Sequence, residues 1–446
     1  MAGRMRLSET IAVIRATWRY PGWAVVAKAF FIFMIAFGAP LTMPFVYPEV
    51  MKEFGWTLTQ ATLIYTYKSL TGAVMAIFII GPLVDRIGLK TVLIGAMVAE
   101  CIGLASFLFV NSLWSYYVTG FLIGIGQAAV IICLRLLVSR WFTRNIGLAV
   151  GISVIGTSFG GVIFPIITSQ LIPLYGWRAA FACLSLGILF ISIPMALFTK
   201  FNPSEADVLP EAVKTAESVT SERLRAADLG IDFRTMLRQH AFWLIALATF
   251  LSALVDQALF QHSIYYLTNE IGLSRTVAAS AWSLTFLIGI GAKFLAGMTF
   301  DRFSVKGVAG WNLLLGVAIL LALPVQGIFT AIVFTTMLGL AHGGLVVDGP
   351  VVSKHVYGPG LMNRLLPILA GFNTMGSAFG PVVLANFYDR TGTYLVGFTV
   401  FISLTVVAAL LMWRVTPTYL LRLRALQGES GPNPPPEGTS PRPDWR

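Results

Sequence analysis

The stretch GISVIGTSFGG, residues 151–161, occurs twice in related form, because residues 371–381 read GFNTMGSAFGP. Four positions of the first copy recur in the second at one constant offset. They are Gly151, Gly156, Phe159 and Gly160, matched by Gly371, Gly376, Phe379 and Gly380. A shorter landmark, Gly81 with Asp85-Arg86, recurs at a similar offset as Gly297 with Asp301-Arg302. The repeat predicts two homologous halves that follow one another in parallel order.

Both glycine stretches are apolar over about the length of a membrane helix. Helices inside a membrane gain little from hydrophobic burial, and glycines three to five residues apart let two helix backbones approach closely. We therefore predict that the repeated glycines pack these two helices against their neighbours. The glycines are Gly151, Gly156, Gly160, Gly371, Gly376 and Gly380.

The composition excludes a soluble protein with an ordinary polar surface. The chain has 446 residues, of which 57% are hydrophobic and 11% charged, and its mean hydropathy is +0.79. A helix needs about 20 mostly apolar residues to cross a bilayer, and the sequence contains about twelve such runs. We therefore predict an all-α membrane protein with about twelve transmembrane helices.

The net charge of +11 comes mainly from basic residues in loops on one side of the predicted membrane. Arg86, Arg140 and Lys214 belong to this side, whereas the opposite loops hold few basic residues, such as Lys52 and Arg178. Such an asymmetry marks cytoplasmic loops rather than a nucleic-acid-binding patch. Both termini are therefore predicted to be cytoplasmic, in a plasma membrane or a bacterial inner membrane.

Residues 81–90, GPLVDRIGLK, resemble the signature loop between the second and third helices of the major facilitator superfamily. Three further stretches are similar to its monocarboxylate porter and oxalate/formate antiporter branch. They are RWFTRNIGLAVGISVIGTSFGG from Arg140, QHSIYYLTNEIGLS from Gln261 and GSAFGPVVLANFYDRTGTY from Gly376. The resemblance implies two pseudo-symmetric six-helix bundles around a central site, which is exposed to either side by rocking of one bundle against the other. Phe45 departs from the animal monocarboxylate carriers, which place a lysine near this position.

This resemblance divides the chain into five parts, because residues between the halves and after residue 427 are polar. The expected parts are a cytoplasmic N-terminal arm (1–22), an N-terminal six-helix bundle (23–199), a cytoplasmic linker loop (200–238), a C-terminal six-helix bundle (239–414) and a disordered cytoplasmic tail (415–446).

Lys293 is the first candidate for the substrate site. It lies about two helical turns, or roughly 12 Å, before Asp301 in the eighth span. The resemblance places it where the family carries a cation that binds the substrate carboxylate. An ionisable side chain near mid-membrane usually faces a cavity or a partner. A structural ion pair with a neighbouring helix is the alternative.

Asp256 near the middle of the seventh span has no counterpart in the resemblance. Three roles remain open for it: pairing with Lys293, carrying a coupling proton, or selecting a cationic group on the substrate. His262 is a second candidate for proton coupling, with a satisfied interfacial histidine as the alternative. Tyr265 lies close to His262 and is a candidate substrate contact.

Other polar residues inside the spans are candidates for the pathway or the gate. Gln127 and His342 occupy equivalent places in the two halves, and Asn373 offers an amide within the second glycine stretch; all three are expected near the substrate. Lys68 and Glu100 are either pathway residues or a mutual structural pair. The remaining candidates are conformational: Gly81, Asp85, Arg86, Asp301 and Arg302 in the repeated loops, and an Arg135–Asp348 salt bridge that closes the inner gate.

These features predict a secondary active transporter for a small organic anion, a monocarboxylate above all, driven by proton symport or by anion exchange. The alternatives are a carrier of an amphipathic or zwitterionic molecule and a transporter-like sensor. An enzyme is not expected, because the sequence shows no nucleotide-binding loop, metal-ligand cluster or nucleophile–base signature. Its partners are expected to be the lipid bilayer, the substrate anion, and protons or a counter-anion. No cofactor, metal or nucleic acid is predicted, and the protein is expected to act as a monomer.

Overall fold

The computed structural model describes residues 20–142, 146–203 and 233–421. Most of the predicted N-terminal arm, of the linker loop and of the tail lies outside these residues. A short helix, Phe233–Arg238, precedes the seventh span.

Eleven apolar helical stretches in the described residues are long enough to cross a membrane. One of them, Gly147–Leu197, has 51 residues and would extend about 75 Å as a single helix, against a bilayer core of about 30 Å. Gly176 interrupts it with φ 76° and ψ 160°, a conformation that glycine adopts without strain. This stretch therefore holds two spans, which raises the number to twelve and confirms the all-α membrane architecture.

The first six spans are α1 (Gly22–Phe45), α2 (Leu58–Ile87), α3 (Leu89–Phe109), α4 (Leu113–Trp141), α5 (146–175) and α6 (177–197). The second six are α7 (His240–Glu270), α8 (Arg275–Phe303), α9 (Val305–Ala322), α10 (Ile328–Tyr357), α11 (Pro359–Thr391) and α12 (Leu395–Trp413). Thr57 and Ser274 cap α2 and α8 by accepting main-chain hydrogen bonds.

The end of α1 is distorted, as its prolines predict. Regular helix ends at Leu41, just after Pro40, and a single 3-10 turn follows at Met43–Phe45. A short helix, Tyr47–Phe54, then leads to α2 and ends at Gly55, which is left-handed. This short helix brings Tyr47, Glu49 and Glu53 to one end of the molecule.

The two halves repeat one packing pattern. In the first half α1 packs against α5, α2 against α4, and α3 against α6; in the second, α7 packs against α11, α8 against α10, and α9 against α12. The halves meet along two symmetry-related pairs of helices, α2 with α11 and α5 with α8. The internal repeat of the sequence thus corresponds to a repeat of helix packing.

Two glycines of each repeated stretch bring helix backbones into direct contact. A Cβ atom at Gly156 or Gly160 would overlap main-chain oxygens of α1, those of Phe30 and Met34. Likewise, a Cβ at Gly376 or Gly380 would overlap the main-chain oxygens of Phe250 and Leu254 in α7. The predicted close packing therefore has its expected geometry at these four glycines.

The first glycine of each stretch does not pack as expected. Gly151 and Gly371 both face open space, so the packing prediction is wrong for them in this conformation. Each lies five residues before the next glycine, which is about 140° around an α-helix, so it faces away from the helix that the later glycines contact.

Candidate transport site

One end of the molecule, here called the closed end, is sealed by polar contacts between the halves. The Asp389 carboxylate at the end of α11 accepts hydrogen bonds from the main-chain nitrogens of Leu58 and Thr59, at 3.0 and 2.9 Å. A carboxylate at a helix N-terminus satisfies free N–H groups and interacts favourably with the helix dipole. The first turn of α2 is therefore capped by a side chain from the other half.

Two further contacts reinforce the closed end. Arg275, the first residue of α8, forms an ion pair with Glu49 of the short helix after α1. The Tyr47 hydroxyl donates a 2.7 Å hydrogen bond to Oε1 of Gln261. Deeper in the membrane, the Thr66 hydroxyl donates to the Ala378 carbonyl oxygen at 2.6 Å. All these contacts join the first half to the second.

The opposite end, which carries the repeated Asp-Arg loops, is here called the open end. Asp85, Arg86, Asp301 and Arg302 are all exposed there. Gly81, a conformational candidate in the signature loop, faces open space. Arg135 is exposed and Asp348 is buried, and no ion pair joins them within the part of the chain that the structure describes. The predicted inner-gate salt bridge is thus not formed in this conformation.

His262 ties three helices of the second half together. Its Nε2 lies 2.8 Å from the Pro381 carbonyl oxygen, and its Nδ1 lies 2.6 Å from the Tyr394 hydroxyl oxygen. A carbonyl can only accept, so Nε2 donates, and the neutral ring then accepts from Tyr394 at Nδ1. The ring is 1% exposed. This geometry is that of a satisfied structural histidine rather than of a free proton carrier.

Asp256 and His342 are hydrogen-bonded across α7 and α10. His342 Nδ1 lies 3.0 and 2.9 Å from the two carboxylate oxygens of Asp256. Gln257 Nε2 donates to Asp256 Oδ2 at 3.2 Å, and the Tyr65 hydroxyl of α2 donates to Gln257 Oε1 at 2.7 Å. A polar chain therefore runs from the first half to the acid of the second half.

Lys293 contacts the other half of the protein without meeting an acid. Its ammonium donates a 3.0 Å hydrogen bond to the Ser158 hydroxyl of α5. Among the described residues, no carboxylate lies within 4.0 Å of it. The pairing with Asp256 that the sequence left open is therefore absent, because His342 occupies the Asp256 carboxylate.

Three other predicted substrate contacts fall in different places. Gln127 is half-buried in α4, and Asn373 is exposed on α11. Tyr265 is buried beside Tyr388 and lines a cavity of about 610 Å³ at the closed end, together with Lys52 and Arg275. Tyr265 thus lies on the far side of the closed-end contacts from Lys293.

Lys68 and Glu100 lie close together inside the first half. Lys68 of α2 is 8% exposed, and its ammonium lies 4.9 Å from the centroid of the Tyr65 ring. Glu100 of α3 is fully buried, and neither carboxyl oxygen has a hydrogen-bond partner within the described ranges. No ion pair within 4.0 Å links the two side chains.

Glu53 forms a separate ion pair at the closed end, within the first half. Its carboxylate lies 2.7 Å from Arg178 Nη1 and accepts a 2.8 Å hydrogen bond from the Trp177 indole. Burial alone would raise the carboxyl pKa, but the hydrogen bonds from Trp177 and Arg178 and the charge of Arg178 outweigh it and hold the pKa of Glu53 below its ordinary value.

Sequence reasoning missed the residues that close the molecule. Asp389 and Arg275 were visible only as charges near the ends of predicted spans, and Ser158 as one of many small polar residues. Their partners lie far away in the sequence, so the spacing of residues along the chain could not indicate these contacts.

The sequence profile of the Major Facilitator Superfamily matches residues 29–310. The chain belongs to this superfamily. It is therefore a multi-pass membrane transporter and not an enzyme. Human "Monocarboxylate transporter 12" is 24% identical over 402 residues, covering 84% of this chain and 77% of the relative. The Bacillus subtilis "Hexuronate transporter" is 23% identical over 383 residues, covering 82% and 88%.

Solved structures agree with this superfamily fold. A bacterial homolog of the human lysosomal transporter Spinster, in an inward-facing, unoccupied conformation, matches with a TM-score of 0.66. The match covers 93% of this facilitator and all of that chain, at 15% sequence identity. Such a likeness supports the fold alone.

Proposed function

We propose that this facilitator carries small organic anions, monocarboxylates above all, and that Lys293 binds the substrate carboxylate. The observation that carries the proposal is the environment of Lys293. It is a cation inside the membrane, at the contact between the halves, that bonds only a neutral hydroxyl among its described neighbours. A cation at mid-membrane costs about 2.5–3.5 kcal/mol on insertion scales unless a counter-charge is present. A substrate anion would supply that charge.

The position of Lys293 suits alternating access. An anion that enters from the open end meets Lys293 before it meets the closed-end contacts. Its carboxylate replaces the Ser158 hydroxyl with a charge-assisted hydrogen bond, which is roughly twice as strong as a neutral one. Because Ser158 belongs to α5 and Lys293 to α8, this exchange releases one half from the other. Substrate binding and rocking of the halves are thereby linked.

The opposite conformation requires the closed end to separate. The Asp389 cap and the Arg275–Glu49 ion pair would break, while the open end would come together. We retain the Arg135–Asp348 salt bridge as the contact that forms there. Gly81 and the loop residues Asp85, Arg86, Asp301 and Arg302 are proposed to adjust between the two conformations.

The basic loops support a cytoplasmic assignment for the open end and for both termini. In this orientation the structure is the inward-facing conformation, as the Spinster homolog's is. A plasma membrane or a bacterial inner membrane is the proposed location. We propose that a single chain suffices for transport, because the internal repeat supplies both halves of the pathway.

The alternative carrier of zwitterionic or amphipathic molecules has less support. It requires Asp256 to bind a cationic group, but both Asp256 oxygens contact His342, and Gln257 adds a further hydrogen bond. The names of two relatives, monocarboxylate transporter 12 and the hexuronate transporter, both denote carboxylate substrates. They favour the anion proposal.

The test is uptake of radiolabelled lactate, pyruvate, formate, oxalate and aromatic acids into proteoliposomes, under exchange conditions and with an imposed proton gradient. The protein should transport at least one of these acids, and Lys293→Gln should abolish that transport. Lys28→Gln is the matched control, because Lys28 also bonds a neutral oxygen, that of Phe198 at 2.9 Å, away from the contact between the halves. Folded protein that transports none of these acids would refute the proposal.

A further inference from the structure

Glu100 is a buried acid for which the transport cycle described so far has no use. It lies on α3 inside the first half, fully buried, with both carboxyl oxygens unpartnered in the described part of the chain. An ionised carboxylate without hydrogen bonds or a bonded counter-ion is strongly disfavoured in such surroundings. The neutral, protonated carboxyl is the form that fits this conformation.

Within residues 20–142, 146–203 and 233–421, Lys68 is the charged group that acts on Glu100. On α4, Gly126 packs against the Glu100 Cβ and main chain. On its own helix, the thiol of Cys101 faces the Ser185 carbonyl oxygen of α6 at 3.5 Å. On α2, Lys68 is the cation whose charge acts on Glu100. An ionised Glu100 would therefore have Lys68 as its counter-ion.

Lys68 interacts with two groups, the Tyr65 ring and the Glu100 carboxyl. In this conformation its ammonium lies 4.9 Å from the centroid of the Tyr65 ring, a cation–π contact. Its main chain is fixed, because Gly124 of α4 packs directly against the Lys68 carbonyl. The lysine side chain has a flexible four-carbon stem, so a rotation of that stem is the movement that would carry the ammonium from Tyr65 to Glu100.

Tyr65 connects this choice to the other half. Its hydroxyl donates to Gln257 on α7, and Gln257 in turn bonds the Asp256 carboxylate, which pairs with His342. The position of Lys68 therefore affects the Tyr65–Gln257 hydrogen bond, which exists only while the two halves meet here.

We propose that Glu100 is the proton-carrying acid of this transporter and that Lys68 is its switching counter-ion. With Glu100 protonated, Lys68 rests on Tyr65, as in this structure. When the Glu100 carboxyl releases its proton to water, Lys68 turns to the new carboxylate and leaves Tyr65, so the contact between Tyr65 and Gln257 weakens. One proton is carried per cycle, together with the substrate anion. The inference rests on the proposed function for its substrate and selects symport over anion exchange.

Glu100→Gln is the decisive variant, because an amide mimics the protonated acid that the structure already accommodates. The driving force is an inward proton gradient of one pH unit, which can concentrate an anion about tenfold in electroneutral symport. We expect liposomes that contain wild-type protein to accumulate more of the anion than protein-free liposomes do. Glu100→Gln should still exchange labelled for unlabelled substrate, but it should no longer accumulate the anion in response to the proton gradient. Lys68→Gln is the second variant, and it too should keep exchange while losing proton-driven accumulation.

Infrared titration of purified protein tests the acid without any substrate. Wild-type protein should show a protonated-carboxyl band that disappears as the pH is raised and that is missing in Glu100→Gln. A Glu100 band that does not titrate between pH 5 and 9, within roughly the range where proteins remain folded, would overturn the inference. Accumulation of the anion by Glu100→Gln at the wild-type level under the proton gradient would also overturn it. Wild-type protein that exchanges the anion but does not accumulate it under the gradient would do the same. Lack of all carboxylate transport by wild type would instead refute the proposed function, and the titration would still decide the role of Glu100.

Discussion

Lys293 on α8 donates a 3.0 Å hydrogen bond to the Ser158 hydroxyl on α5, so a membrane-embedded cation joins the two halves of the protein. The contact is weak for a charged donor, because its acceptor is neutral. We expect Ser158→Ala to leave the Lys293 ammonium more available, with a severalfold lower apparent Kd for the substrate anion. The measurement is a titration of exchange rate against substrate concentration. Unchanged affinity in the variant would mean that Ser158 does not compete with the substrate.

Asp389 is expected to control the balance between conformations. Asp389→Asn removes the charge that caps the first turn of α2 from the other half, a loss of about 1–2 kcal/mol, or about 5- to 30-fold in the equilibrium. The closed end should then open more often. Spin labels at Lys52→Cys and Asn269→Cys, which line the cavity there, report this as a population of longer distances.

The matched control for Asp389 is Glu270→Gln at the same end. Glu270 accepts hydrogen bonds from the Thr393 hydroxyl and the Tyr394 main-chain nitrogen, all within the second half. The labels should be placed in protein that lacks its three cysteines. Equal distance changes in both variants would show that the Asp389 contact between the halves has no special effect.

Gly156 and Gly151 should respond oppositely to alanine. A methyl group at Gly156 would overlap the Phe30 carbonyl oxygen, so Gly156→Ala should destabilise the protein by about 1–3 kcal/mol. Gly151 faces open space, and Gly151→Ala should be neutral or stabilise by up to about 1 kcal/mol, since alanine favours helix. Thermal unfolding in detergent compares the two. Equal losses would contradict the assigned helix contact.

The Glu53 ion pair should contribute stability that depends on pH. Because the pKa of Glu53 is lowered in the folded protein, its contribution is present above the unfolded pKa of about 4.3 and is lost as the pH falls through the folded pKa. The pair is partly exposed, so the contribution is at most about 1 kcal/mol. Glu53→Gln should therefore lower the melting temperature at pH 7, and the difference from wild type should shrink as the pH falls below about 4.3. A difference that stays constant as the pH falls would contradict this account.

The sequence predicted the architecture well because its signals are local or repeated. Apolar runs mark spans, and the recurrence of Gly156 and Gly160 as Gly376 and Gly380 marks equivalent helix contacts, which the structure places against α1 and α7. Gly151 and Gly371 carried the same sequence signal but face open space. Recurrence in the sequence does not show which helix face a residue occupies, and five residues, about 140° around a helix, separate each of these glycines from the next one.

The site was less predictable, because it depends on which helix faces meet. Asp256 and Lys293 are both charged and both mid-span, yet Asp256 pairs with His342 of α10 and Lys293 bonds Ser158 of α5. Helical periodicity places a face only within a wide arc, which leaves several partners open. Asp389 was passed over because its partners are main-chain nitrogens, which look the same in every sequence.

Direct binding of a labelled carboxylate to purified protein tests the role of Lys293 most directly, with wild type, Lys293→Gln and Lys28→Gln compared at equal folded concentration. A charge-assisted hydrogen bond is worth about 1.5–3 kcal/mol, so Lys293→Gln should raise the Kd by about 10- to 100-fold, while Lys28→Gln binds as wild type does. Wild-type affinity in Lys293→Gln would contradict the central claim that this lysine holds the substrate anion.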